Sequence, residues 1–265
     1  MFYDNFTKDQ ICGIFTFWHF VAIGIFVVLA VVSLVLSRKM TEKQVKKTML
    51  IVAIIVTVLE VIKIIIRLYK HSNINGWVPL YFCSLFIYAI WFALSKNEFI
   101  KNMGYCFLVC GGIAGSVCYT IYPTTSLLLY PIWHPASIHG FFFHWCMFYI
   151  GVLIAMHGLY KPRARDFVHY LMFTTIFTVL ALIINQFTSS NLMLISHPFG
   201  IKFLQDIYNI SPILHAFVVY LGQSVALYWA EYGMYKLIRH IVIKRKAKKQ
   251  TKPDIKDDQP GLSEI

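Results

Sequence analysis

Charge is scarce in this chain. Only 14% of its 265 residues are Asp, Glu, Lys or Arg, against about 25% in an ordinary soluble protein. Acidic residues are rarest, 12 in all beside 24 Lys and Arg. So few charges cannot clothe a water-facing surface, which excludes a soluble enzyme, a nucleic-acid binder and a disordered chain. A cysteine framework is missing too. Cys12, Cys83, Cys106, Cys110, Cys118 and Cys146 all fall in or beside apolar stretches, so no disulfide scaffold is expected. Metal-site spacing is also absent. Cys106 and Cys110 share a turn with no His or acid beside them, and His134, His139 and His144 step by five across Pro135. No metal or cofactor is expected. No GxSxG nucleophile motif and no internal repeat is found. Asp4 and Asp9 precede the first apolar stretch and a basic cluster follows it, the reverse of a cleavable signal.

Apolar length is what the chain has in quantity: 58% hydrophobic residues, 17% aromatic, mean hydropathy +0.64. The apolar blocks run to about 20 residues, enough to cross a hydrocarbon core of about 30 Å. About seven can be counted, at roughly 11–36, 48–69, 78–95, 103–121, 138–160, 167–187 and 213–240. Backbone amides in lipid must be bonded within their own segment, so each block is expected to be a helix. The fold class is therefore an all-α polytopic transmembrane bundle. It should occupy residues 1–241, with 242–265 a basic, then acidic, cytoplasmic tail expected to be disordered.

The net charge of +12 is unevenly placed. Arg38, Lys39, Lys43, Lys46 and Lys47 follow the first block, Lys161, Arg163 and Arg165 follow the fifth, and nine Lys/Arg lie from Lys236 to Lys256. Alternate connections are poor in Lys and Arg. That asymmetry orients the chain N-out and C-in as a multi-pass protein of the cell membrane, and it explains the positive charge without nucleic acid. Membrane lipids are the expected partners, with anionic headgroups drawn to the KRKAKK run, Lys244–Lys249.

Polar groups inside the blocks carry the functional question, because burying them in lipid is costly. Glu60, Lys63 and Arg67 step by three and four, which puts them on one helix face. They read as a self-neutralising ladder or as a cavity wall that holds a headgroup. At about 1.5 Å per residue, Cys83 and His144 both lie about 8–9 Å below the outer interface. Arg67, Asn185, Gln186 and His215 fall near the same level, with Tyr122, His139 and Asn191 close by. A polar cavity in the outer half of the bundle follows. Cys83 and His144 could form a nucleophile–base pair, with Ser84 as fallback and Asn185 or Gln186 orienting the ring or donating to an oxyanion. A small core cysteine and a structural histidine are the rival readings.

The stretch WVPLYFCSL (Trp77–Leu85), the IYP after the Gly-rich fourth block (Ile121–Pro123), FFFH (Phe141–His144) and NQFTSSNLMLISHP (Asn185–Pro198) resemble the YwaF-like integral membrane family over about residues 40–240. A wider resemblance extends to animal ether-phospholipid acyltransferases that use a Cys and a His, and to androgen-induced membrane hydrolases. It implies Cys83 and His144 as the catalytic pair, in a lipid acyltransferase or hydrolase. The alternative is a transporter or lipid-binding protein without covalent chemistry, in which Glu60 and the outer histidines serve transit.

Overall fold

The computed structural model describes residues 6–69 and 78–250. The connection at 70–77, with His71 and Trp77, and the tail from 251 to 265 lie outside the described residues. All regular structure in the described residues is helical: α1 Phe17–Ser37, α2 Glu42–Tyr69, α3 Leu85–Ala93, α4 Glu98–Phe107, α5 Ile113–Ile121, α6 Pro135–Met156, α7 Phe167–Phe187, α8 Lys202–Ile210, α9 Pro212–Leu221 and α10 Leu227–Gln250. Two wide π-helical turns, Leu108–Gly112 and Gly222–Ala226, join α4 to α5 and α9 to α10 into single rods.

Among the described residues, six helices are long and apolar enough to cross a membrane: Phe17–Ser37, Glu42–Tyr69, Glu98–Ile121, Pro135–Met156, Ala164–Phe187 and Pro212–Val242. The seventh expected block, 78–95, forms only the nine-residue α3 and an irregular entrance. Pro79 has no N–H to give a helix, and the chain winds from Tyr81 to Ser84 through tight turns before α3 begins. At its other end the bundle is more regular than expected. α10 runs to Gln250, so the tail is helical through the KRKAKK run.

Local chemistry sets where the helices start. Thr16 caps α1 by accepting from the His19 N–H, and Asn97 caps α4 through the N–H groups of Phe99 and Ile100. His134 caps α6 ahead of Pro135, and Ser211 caps α9 ahead of Pro212; proline at a first helical position loses no bond. α6 ends at Gly158 (φ +68°), where the N–H groups of Gly158 and Leu159 return to the carbonyls of Ala155 and Ile154 in a Schellman closure.

The rod Glu98–Ile121 is the axis of the bundle, with 78% of its apolar window buried, against 17% for α1. Glycines allow this packing. A Cβ at Gly104 would overlap the α3 backbone at Ala89 and Ala93, and one at Gly151 would overlap the Leu108 carbonyl. α1 stands outside, apolar residues such as Val28 and Leu36 exposed, and is clipped at both ends. His19 Nε2 donates to the Thr120 carbonyl (3.0 Å), and His157 Nε2 donates to the Ser37 carbonyl (2.9 Å).

Candidate functional site

α6 collects the site. Its His144 Nδ1 lies 2.7 Å from the Gly140 carbonyl one turn earlier. A carbonyl only accepts, so Nδ1 carries the hydrogen, and in the neutral ring Nε2 keeps its lone pair. Nε2 is buried without a hydrogen-bond partner among the described residues. The ring stacks flat on Tyr119 of α5, centroids 3.5 Å apart and planes 4° apart. Tyr119 is held in turn by its hydroxyl, which donates to Ser126 Oγ (2.7 Å). Gly140 makes room for that hydroxyl, which a Cβ there would overlap.

Cys83 lies within electrostatic reach of the same Tyr119. It lies in the wound segment before α3, half-buried against the core, and its carbonyl accepts from the Phe86 N–H (3.1 Å). Phe82 packs toward Gly115 of α5, 3.2 Å from where a Cβ would stand. That contact carries Cys83 alongside the next turn of α5, within electrostatic reach of Cys118 and Tyr119. Tyr119 is thus the shared neighbour of Cys83 and His144.

The α2 ladder joins the same region. Lys63 Nζ pairs with Glu60 Oε1 at 2.5 Å, and both side chains are largely buried. Lys63 and Arg67 lie within electrostatic reach of His139, which in turn lies within reach of His144. His139 Nε2 is a second buried ring nitrogen without a hydrogen-bond partner among the described residues. His139, beside the cationic wall, stands five residues or about 1.4 turns before the stacked imidazole on α6.

The outer-loop residues have other work. Asn185 spends its whole amide on the loop that follows it. Nδ2 donates to the Leu192 carbonyl (3.1 Å) and to Ser196 Oγ (2.8 Å), while Oδ1 accepts from Ser190 Oγ (2.8 Å) and Leu192 N (3.0 Å). The expected oxyanion donor is therefore a loop-ordering residue, because no N–H of its amide is left to give. Asn191 acts likewise, accepting from the N–H groups of Ser196 and His197 and donating to the His197 carbonyl. Gln186 is exposed on an open polar hollow of about 430 Å³ with Asn185, Ser190 and His197. Tyr122 is exposed at the end of α5, and His215 is buried on α9 with its ring edge-on to Tyr208 of α8.

The loop nevertheless reaches the site through backbone. Met193 N donates to the Leu80 carbonyl (3.0 Å), three residues before Cys83. Leu192 and Met193 are fully buried, and Met193 and Leu194 both hold positive φ, 55° and 57°. Non-glycine residues in that region cost about 1–3 kcal/mol each, so the plug is held against its own backbone preference. Tyr119, Gly140 and Met193 were not singled out in the sequence. The glycine four residues before His144 was the one available signal, because residues four apart share a helix face.

The fold and this enclosed polar cluster define a polytopic α-helical membrane protein. A model of the TMEM164 family, a transmembrane protein family, matches residues 14–229, and the chain belongs to that family. No curated protein and no solved structure matches it.

Proposed function

We propose that the chain is a membrane-embedded enzyme of lipid acyl transfer or hydrolysis, with Cys83 as nucleophile and His144 as base. One observation carries this reading: an imidazole whose Nδ1 is tied to its own helix and whose Nε2 lone pair is buried and unspent, stacked on a tyrosine that a thiol reaches electrostatically. Most buried polar side-chain atoms have a hydrogen-bond partner, although His139, His169 and His215 also keep unbonded ring nitrogens among the described residues. The resemblance to Cys/His acyltransferases, on the segments around Cys83 and His144, supports the same pair.

The chemistry follows from those atoms. Cys83 Sγ attacks the acyl carbonyl carbon while its proton passes to His144 Nε2. The attack gives a tetrahedral oxyanion. Collapse forms the thioester and expels the lysolipid oxygen, which takes the proton back from Nε2. A second lysolipid hydroxyl, or water, then attacks the thioester carbon, gives its proton to Nε2, and releases the Cys83 thiolate, which is reprotonated from the imidazolium. Lys63 and Arg67, beside His139, hold the phosphate of the headgroup.

The test uses purified protein with a thiol-directed activity probe, a fluorophosphonate probe and a lipid-turnover assay. Wild type should label at Cys83. Cys83→Ala should abolish turnover, and His144→Ala should slow it about 10²–10⁴-fold. No labelling, with turnover unchanged in both variants, would sink the assignment. The transport reading needs a proton-carrying Glu60, which here is ion-paired with Lys63.

A further inference from the structure

A second concavity lies at the opposite end of the bundle, on the side that the Lys/Arg asymmetry assigns to the cytoplasm. Its volume is about 420 Å³, and Asn102 of α4, Lys161, Arg163, Arg165, Asp166 and His169 of α7 line it. The carboxylate does not make the cavity anionic, because it is already used. Asp166 Oδ2 accepts from the Tyr160 hydroxyl (3.0 Å) and from Arg163 N (3.1 Å), with Arg163 Nε at 3.9 Å. Lys161 and Arg165 are exposed and make no ion pair among the described residues. His169 Nδ1 is buried without a hydrogen-bond partner there. A topology signal alone requires basic residues on the loop; it does not require a hollow with a locked carboxylate and convergent donors.

The level of the hollow is marked by aromatic residues. The Tyr228 hydroxyl donates to the Arg163 carbonyl (2.7 Å), and Tyr228 packs among Phe167, Trp229 and Tyr232. Trp229 is exposed, and Lys236 Nζ stands over the Tyr232 ring at 5.5 Å. Aromatic rings with a polar tip and basic residues beside them belong at the headgroup layer of a membrane. A phosphate reaching these donors would therefore come from a lipid anchored in the adjoining leaflet. We infer that the hollow between Asn102 and the α6–α7 connection binds the phosphate of an anionic phospholipid headgroup. It is distinct from the outer Cys83–His144 cluster and from the Lys244–Lys249 run.

The full chain in neutral detergent is titrated with dioctanoyl phosphatidic acid, dioctanoyl phosphatidylcholine or inorganic phosphate, and the thermal unfolding midpoint is followed. Phosphatidic acid should raise the midpoint saturably, while phosphatidylcholine and tenfold more inorganic phosphate should not. The Lys161→Gln/Arg165→Gln double variant should weaken the apparent affinity at least tenfold, since each basic group near a membrane surface contributes measurably to holding an anionic lipid. Both side chains are exposed, so its ligand-free midpoint should match wild type. Lys244→Gln/Lys246→Gln should change affinity less than twofold. Undiminished binding in the first variant, loss of binding in the second, or inorganic phosphate matching the lipid would each overturn the assignment.

Discussion

Gly140 does two things with one residue. Its carbonyl fixes the His144 tautomer, and its missing side chain admits the Tyr119 hydroxyl. Gly140→Ala should therefore push Tyr119 off its stack and cost about 1–3 kcal/mol, in the range of an overpacked core. Removing the hydroxyl leaves the nearest ring carbon, Cζ, 3.0 Å from the new methyl. Gly140→Ala/Tyr119→Phe should then regain a large part of the loss, and the four melting curves of that double-mutant cycle should show coupling. Additive losses would mean that the stack does not depend on this fit. At this scale a depth count at a fixed helical rise applies to His144 on α6 but not to Cys83, which lies in the non-helical segment before α3. The sequence was not legible for Asn185. An amide at the right depth can face inward or fold back on its own loop, and only the position of Ser190, Leu192 and Ser196 decides which.

Between the elements, the loop 188–198 is the part that differs most from an exposed connection. It turns inward, buries Leu192 and Met193, and replaces with the Met193–Leu80 bond one that a longer α3 would have made itself. Asn185 anchors it. Asn185→Ala should lose four hydrogen bonds and about 1–3 kcal/mol, with faster proteolysis within 188–200. Asn185→Asp, which keeps the accepted bonds and loses the donated ones, should fall between. If turnover vanished while stability and protease resistance stayed at wild-type values, the amide would be an oxyanion donor after all. Six of the seven apolar blocks were legible because lipid demands about 20 residues of one character. The shortness of α3 was not, since composition cannot distinguish a crossing helix from a buried half-helix completed by another segment's backbone.

For the molecule as a whole, the connection from α6 to α7 is a stability element as well as a charged loop. Burial pushes the Tyr160 phenol above its ordinary pKa, with the nearby Cys106 adding to the effect. The folded protein thus holds this proton more tightly than the unfolded chain does. The stabilisation is complete below the unfolded phenol value of about 10 and is lost as the pH rises above it. Thermal midpoints measured between pH 8 and 11.5 should fall at the alkaline end. Tyr160→Phe should flatten that fall while lowering the midpoint at pH 8, because the bond to Asp166 is lost. An alkaline fall that persists unchanged in the variant would place its origin elsewhere.

The wide turn at Leu108–Gly112 gives the central rod one more residue than an ordinary turn of the same rise would hold. Its effect is angular. Every side chain on the outer half of the rod is rotated by about 100° from where an unbroken helix would have aimed it. Shortening the rod by a single residue at Val109 would restore the regular winding and swing Tyr119 away from the imidazole while leaving composition almost untouched. The surplus residue is what lets one straight rod serve as the packed axis at Gly104 and present a flat ring to His144 half a membrane away.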